Sequence, residues 1–195
     1  MVDIEKIEEL IDRFYKELPC QSDIPFPEVK VESKNLAYAE LLLDAQSSAA
    51  DSEIQAVVQY LYHHKTINNS HISAALECIA LIEMKHYEVL EDLIRQLGGK
   101  PVQYNSNKAY WNTENISYGD RDILSLKYDD EDAKERHIVR KKLMLDIKSE
   151  INAINGYKFI KNNISDKYIR RVIDKIISDE EAHIEVFEAL IRKYT

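Results

Sequence analysis

The motif Glu-x-x-His occurs twice in this chain, as Glu83-Met84-Lys85-His86 and as Glu180-Glu181-Ala182-His183, 97 residues apart. A further glutamate stands 30 residues before each copy, Glu53 before the first and Glu150 before the second. Eight of the thirteen residues that begin with each motif are identical after the shift of 97, where unrelated stretches would share about one. The chain is therefore expected to contain two copies of one helical hairpin.

The segments that contain the lone glutamates repeat as well. Each reads Ser-Glu-Ile and has a tyrosine seven residues after the glutamate, Tyr60 in the first copy and Tyr157 in the second. Seven residues are close to two helical turns, so the glutamate and the tyrosine share nearly the same helix face. Each tyrosine can therefore hydrogen-bond a carboxylate on the partner helix, and ordinary core packing is the alternative.

Helical periodicity covers most of the chain. Four long patterns run at about 34–64, 68–98, 132–162 and 166–194, and a shorter amphipathic pattern covers 3–18. Short connections within each long pair predict antiparallel hairpins. Residues 99–131 are long enough to cross the length of a bundle, with aromatic side chains that pack on the helices or, alternatively, gate a substrate. The predicted fold is all-α: an antiparallel four-helix bundle over 34–195 with one long crossover between its second and third helices, preceded by a short N-terminal helix and linker over 1–33.

Composition excludes several classes of protein. With 195 residues and 45% hydrophobic content, the chain can bury one sizeable core. A net charge of −9 argues against nucleic-acid binding, which requires a coherent basic surface. No apolar run approaches the roughly 18 residues of a membrane span, and the first residues lack the pattern of a secretion signal. We expect a soluble cytoplasmic protein with no membrane or nucleic-acid partner.

The cysteines and four of the histidines lie outside the repeated motif. Cys20 and Cys78 are too few and too far apart to indicate a disulfide framework, so we predict that both are reduced and structural. No Cys-x-x-Cys is present to hold a rubredoxin-type iron carrier. The four remaining histidines are predicted to lie on the surface, with an adventitious metal site near the first turn as the alternative; they are His63, His64, His71 and His137.

The N-terminal helical pattern carries an apolar stripe that a four-helix core does not require. Its residues are Ile4, Ile7, Ile11, Phe14 and Leu18, followed by Pro19, Pro25 and Pro27 in a semi-extended tether. An apolar stripe needs burial, either on its own bundle or against another chain. The stripe predicts a homodimer or small homo-oligomer with this helix near the contact, and folding back on the bundle is the alternative.

The repeated glutamates and histidines should meet at one level of the bundle. Within each hairpin, the lone glutamate and the Glu-x-x-His motif lie at nearly equal heights from the turn, and positions i and i+3 share a helix face. Four carboxylates facing an apolar interior would cost several kcal/mol per ion unless compensated, and two divalent cations would compensate them. Carboxylates with one imidazole per metal suit iron or manganese. We predict two such ions per chain, held by Glu53, Glu83, His86, Glu150, Glu180 and His183; a solvated acidic face with two core histidines is the alternative.

This ligand pattern resembles the ferritin-like di-iron and di-manganese carboxylate superfamily. The two Glu-x-x-His motifs are similar to those of bacterioferritins, and the stretch from Ala50-Asp51-Ser52-Glu53 to Gln59-Tyr60-Leu61-Tyr62 is more similar to rubrerythrins without their rubredoxin domain and to manganese catalases. Rubrerythrins carry a further carboxylate near the third-helix ligand, but Ile147 and Ala153 stand at those positions here. A seventh carboxylate ligand is therefore not expected.

The resemblance implies a protein that reacts with hydrogen peroxide or dioxygen. A rubrerythrin-like peroxidase or ferroxidase would need an external electron donor. Manganese-catalase-like disproportionation of peroxide is the alternative enzyme activity, and metal storage or a structural coat role is the alternative without catalysis.

Overall fold

The computed structural model describes residues 4–48, 51–101 and 131–195, and within those ranges the chain is helical without β-strands. The helices are α1 (Ile4–Glu17), α2 (Leu36–Leu43), α3 (Glu53–Thr66), α4 (Ser70–Gln96), α5 (Glu131–Asn163) and α6 (Lys167–Tyr194), with a π-helical turn at Asp44–Ser48 after α2. The predicted all-α class is confirmed, and four of the five predicted helices begin and end within two residues of their predicted bounds. The predicted crossover at 99–131 lies almost entirely outside the described residues.

The two hairpins implied by the repeat are α3–α4 and α5–α6. Residues 67–69 join the first pair, and residues 164–166 join the second. Asn69 caps α4 and Asp166 caps α6, each by accepting two backbone N–H hydrogen bonds from the first turn of the helix. These capped turns are short, so α3 runs antiparallel to α4 and α5 runs antiparallel to α6.

The first long helix is interrupted, which corrects the predicted continuous helix at 34–64. The α-helix ends at Leu43, a π-helical turn follows, and α3 begins only at Glu53. Ser52 immediately before α3 has an extended backbone. The stretch between the two α-helices is rich in serine and aspartate, whose side chains compete for backbone hydrogen bonds and weaken a helix. The interruption places Glu53 in the first turn of a helix.

The core consists of two apolar clusters separated along the bundle by a polar layer. On α4, Leu76 and Ile79 belong to one cluster and Leu90 and Leu93 to the other. The first Glu-x-x-His motif lies between these two sets on the same helix. On α6, the second motif likewise lies between the Ile169–Ile177 side of one cluster and Phe187 of the other. The repeated motif is therefore held in the middle of the bundle, at the distance from solvent where charge is most costly.

Two glycines end α4 for different reasons. Gly98 has a positive φ of 89°, the left-handed conformation common one residue past a helix C-cap. Gly99 has no room for a side chain, because a Cβ there would lie 2.7 Å from the Cβ of Ala39. Close packing at Gly99 allows α2 to lie against the end of α4.

Cys20 and Cys78 form a disulfide, so the prediction that both are reduced was wrong. The chain after α1 folds back on α4 and brings the two Cα atoms to 6.1 Å, a contact that a sequence separation of 58 residues does not reveal. The bond ties the linker between α1 and α2 to α4.

The α1 helix exposes the apolar stripe noted in the sequence. The side chains of Ile7, Leu10, Ile11 and Phe14 are between 44% and 50% exposed. Folding back on the bundle therefore does not bury these four residues, and the oligomer stays a prediction. No helix in the described ranges is long and apolar enough to cross a membrane.

The disulfide is expected to stabilise the bundle by restricting the unfolded chain. Closing a loop of this size should contribute about 2–4 kcal/mol to the free energy of unfolding. Denaturant titration of the wild-type chain with and without a reductant would measure this contribution. The double variant Cys20→Ser/Cys78→Ser should match the reduced protein and no longer respond to reductant; equal stability of oxidised and reduced wild-type protein would contradict the expectation.

Candidate metal centre

The structure brings the six predicted ligand residues together in the polar layer. Glu53 comes from α3, Glu83 and His86 from α4, Glu150 from α5, and Glu180 and His183 from α6. All six are at most 4% exposed. Each helix of the bundle therefore contributes to one enclosed cluster of four carboxyl groups and two imidazoles.

The cluster divides into two overlapping groups, each able to offer four ligand atoms within 4.8 Å of one another. One group contains Glu53 and His86, the other contains Glu150 and His183, and both contain Glu83 and Glu180. A carboxylate has two oxygens, so the two shared glutamates can bridge a pair of ions while the other residues each serve one ion. This arrangement suits two metal ions side by side.

Both imidazoles turn their Nδ1 atoms toward the carboxylates. Nδ1 of His86 lies 3.1 Å from Glu83 and 3.4 Å from Glu180. Nδ1 of His183 lies 3.0 Å from Glu83 and 2.9 Å from Glu180. Each histidine therefore faces both shared glutamates, and Nδ1 is the atom through which each could bind a metal.

The two repeated tyrosines hydrogen-bond the glutamates that are not shared. Tyr60 donates to Oε1 of Glu150 at 2.8 Å, and Tyr157 donates to Oε1 of Glu53. Each bond joins α3 to α5, and both phenol groups are almost fully buried. The tyrosines thus orient one carboxylate in each group and leave its second oxygen for a cation.

Asp179 is a further functional residue that the sequence analysis did not assign. Its carboxylate lies 3.1 Å from Nε2 of His86, and it also accepts hydrogen bonds from Lys175 at 2.6 Å and from the backbone and hydroxyl of Ser22 at 2.9 and 2.8 Å. An acceptor at Nε2 fixes the ring so that Nδ1 points into the cluster. The residue directly before a Glu-x-x-His glutamate was the available clue, but the repeat hid it, because Ile82 stands at the matching position in the first copy.

The buried charges shift one another strongly. Burial, reinforced by neighbouring carboxylates, raises the pKa of Glu53 and Glu150 well above 4.5. Burial would also raise the pKa of Glu83, but the imidazoles of His183 and His86 outweigh it and lower this pKa.

The histidines respond in the opposite sense to their burial. Burial alone would lower their pKa values, but Glu180 beside His86 and Glu83 beside His183 raise both well above 6.5. Burial also opposes ionisation of Asp179, yet His86 and Lys175 lower its pKa to about 2. Without cations the cluster therefore holds protons in the positions where metals would bind.

Among the other histidines, the predicted surface location of His63 was wrong. Its side chain is fully buried, with Nδ1 2.8 Å from the buried carboxylate of Asp146. Asp146 stands one turn before Glu150 on the same face of α5, and this spacing was the available clue. His64 is only partly buried and hydrogen-bonds Ser73.

Comparisons with known proteins agree with this geometry. A family model for rubrerythrin matches residues 44–191. The chain is 27% identical over 187 residues to a probable manganese catalase of Clostridium acetobutylicum, covering 85% of this chain and 75% of the relative. It is 23% identical over 150 residues to a bacterioferritin of Desulfovibrio desulfuricans, covering 75% of this chain and 72% of the relative.

Solved structures show the same architecture. A manganese catalase from Anabaena superposes with a TM-score of 0.66 at 20% identity, covering 87% of this chain and 78% of that structure. A bacterioferritin from Mycobacterium tuberculosis superposes with a TM-score of 0.57 at 23% identity, covering 82% and 87%. At these identities the likeness concerns the fold alone, and it confirms the predicted ferritin-like bundle.

The metal-free protein is expected to lose stability as the pH rises. A histidine whose folded pKa exceeds the unfolded value of 6.5 stabilises the fold below that value and loses this contribution as the pH rises through the folded pKa. The raised pKa values of Glu53 and Glu150 act in the same direction. Thermal unfolding in a chelator should therefore show a melting temperature that falls between about pH 6 and about pH 9. A melting temperature that stays level or rises over this range would contradict the assigned proton positions.

Proposed function

Because the chain belongs to the rubrerythrin family, we propose that it holds two iron or manganese ions in this cluster and reacts with hydrogen peroxide or dioxygen. The observation that carries the proposal is the pair of overlapping ligand groups that share Glu83 and Glu180. Four carboxylates and two imidazoles provide the oxygen and nitrogen donors that iron and manganese prefer. The ligands we assign are Glu53, Glu83, His86, Glu150, Glu180 and His183.

The residues around the cluster fit a pair of cations. Oε1 of Glu83 and Nε2 of His183 are buried and make no hydrogen bond within the described residues. Bound cations would compensate the carboxylate charge that protons otherwise compensate. When bound, the ion pair supplies two electrons to an oxidant, so that an O–O bond can be cleaved without releasing a radical.

The protein's own part in the reaction is to orient the ligands and exclude water. Tyr60 and Tyr157 hold the two unshared carboxylates, and Asp179 holds the ring of His86. The apolar clusters on both sides keep bulk solvent from the layer. Such fixed surroundings favour chemistry in which few groups have to reorganise.

A surface groove offers a small oxidant a way in. The groove has a volume of about 660 Å³ between α1, the linker and α4, and its lining includes Tyr15, Pro25, Phe26, Ile82 and Lys85. The ring of Phe26 also lies 6.2 Å from the ring of His86, measured between centroids. A molecule of the size of hydrogen peroxide would reach His86 from this groove by passing one aromatic side chain.

We propose a rubrerythrin-like peroxidase or ferroxidase as the main function, with electrons supplied by a separate donor. Peroxide disproportionation is the second candidate, and the similarity to a probable manganese catalase favours it. Metal storage or a structural coat role is the candidate without catalysis. A homodimer or small homo-oligomer, with the exposed stripe of α1 at the contact, completes the proposal.

The ligand assignment predicts the metal content of variants. Glu83→Ala and Glu180→Ala each remove a residue common to both groups, so each should lower the metal content well below two ions per chain. Elemental analysis after purification and reconstitution would measure this. Glu88→Ala is the matched control, because Glu88 lies on the same helix but is exposed and pairs with Lys85 at 3.4 Å. Two ions per chain in both ligand variants would refute the assignment.

The choice among the functions predicts what peroxide does to the loaded protein. Protein purified without added metal should be analysed for iron and manganese and then mixed with peroxide in the presence or absence of a reductant. We expect peroxide loss that depends on the reductant and is absent in Glu83→Ala. Rapid oxygen release by a manganese form without reductant would instead indicate disproportionation. No peroxide loss with either metal would leave storage or a structural role.

A further inference from the structure

A line of buried polar contacts leads away from the metal centre between α3 and α5. It has three levels, and each level joins one residue of α3 to one of α5: Tyr60 with Glu150 at 2.8 Å, His63 with Asp146 at 2.8 Å, and Thr66 with Lys142 at 2.9 Å. Successive levels are three residues apart on α3 and four apart on α5, which is one helical turn on each helix. We call these six residues the polar ladder.

The ladder connects a proposed metal ligand to solvent. Glu150 at its inner end is 2% exposed, and Thr66 at its outer end is exposed in the last turn of α3. Lys142 is 2% exposed and lies with its Nζ 5.2 Å from the centre of the Tyr62 ring. The levels therefore form a route of about two helical turns, or roughly 10 Å, through an otherwise apolar part of the bundle.

The middle level is built to hold and pass a proton. Asp146 accepts hydrogen bonds from Nδ1 of His63 and, at 2.9 Å, from Gln59. His63 and Asp146 are both fully buried. Nε2 of His63 has no hydrogen-bond partner within the described residues, so one ring nitrogen is fixed while the other is available for exchange.

Comparison of the two repeats indicates that the ladder is not needed to build the fold. The shift of 97 matches His63 with Ile160, Asp146 with Ala49 and Lys142 with Ala45. Apolar residues thus occupy the matching positions in the other half of the bundle. Burying an imidazole, a carboxylate and an ammonium group costs free energy that an apolar set would not cost, so these residues are better explained by function than by packing.

We propose that the polar ladder carries protons between solvent and the Glu150 side of the metal centre, with His63 as the residue that gives up and regains the proton. The proposal rests on the peroxide chemistry proposed above. Reduction of peroxide breaks the O–O bond and consumes two electrons and two protons to yield two waters; the electrons come from the external donor by way of the metals. Disproportionation uses the same protons in one half-reaction and releases them in the other. His63 supplies a proton from Nε2 and recovers one from solvent at the Lys142 end, while Asp146 keeps Nδ1 protonated.

The charged and titratable groups around His63 come from both helices of the ladder. Asp146 contacts it directly, Tyr60 and Lys142 occupy the neighbouring levels, and the ring of Tyr62 lies 5.8 Å from its ring. The other two helices face this region with apolar members of the same cluster, such as Leu76 of α4 and Phe187 of α6, and Glu83 lies beyond Tyr60. The charge of His63 therefore depends mainly on Asp146 and on the two neighbouring levels.

The first test compares variants of the ladder in the metal-loaded full chain. His63→Gln and Asp146→Asn should keep two ions per chain, lower the rate of peroxide consumption at least about ten-fold, and flatten its dependence on pH. Added imidazole should restore part of the rate in His63→Ala. His64→Gln is the matched control, because His64 is the adjacent histidine and bonds Ser73 outside the ladder; it should keep the parental rate. A parental rate and pH profile in His63→Gln, or loss of metal from it, would overturn the proposal.

The second test does not depend on catalysis. Exchange of the His63 ring N–H with water can be measured by nuclear magnetic resonance in the metal-free, ¹⁵N-labelled chain. Lys142→Met removes the charged outer group and leaves the His63–Asp146 pair in place, so this exchange should slow at least about ten-fold. Unchanged exchange would overturn the ladder as a proton route. If exchange slows but the wild-type chain consumes no peroxide, the proposed function fails and the proton route remains.

Discussion

Four carboxyl groups share the interior of this bundle, and their charge has to be compensated before the helices can close around them. Ionised and unpaired, each would cost several kcal/mol. In the metal-free protein, protons provide the compensation: the pKa values of His86 and His183 are raised by the carboxylates, and those of Glu53 and Glu150 are raised by burial. Each such proton lies where a cation would bind, so metal binding must displace protons and should tighten as the pH rises.

This requirement organises the rest of the structure. The carboxylates can meet only if α3, α4, α5 and α6 place them at one level, and the capped turns at Asn69 and Asp166 set that level in each hairpin. The interruption before α3 also has a consequence at the site. It puts Glu53 in a first helical turn, where unpaired backbone N–H groups and the helix dipole favour a negative charge. The break thus eases the burial of one of the four carboxylates.

The sequence predicted whatever depends on periodicity, and missed whatever depends on contacts between distant segments. The 97-residue shift and the i, i+3 spacing were enough to predict the hairpins and to group Glu83 with His86 and their copies, because both follow from helix geometry. The Cys20–Cys78 bond was missed because it forms only when the linker folds back on α4. His63 was placed on the surface because its partner Asp146 is 83 residues away and has no counterpart in the repeat.

The two halves of the duplication have kept the same cluster residues but acquired different supports. Asp179 fixes the ring of His86, whereas Ile82 stands at the matching position and Nε2 of His183 has no hydrogen-bond partner within the described ranges. The Glu150 side is reached by the polar ladder, whereas the matching residues beside Glu53 are apolar. One side of the centre is therefore held more firmly, and the other has the protonatable neighbours. Two ions bound here would not be equivalent, and proton-coupled steps should favour the side of Glu150 and His183.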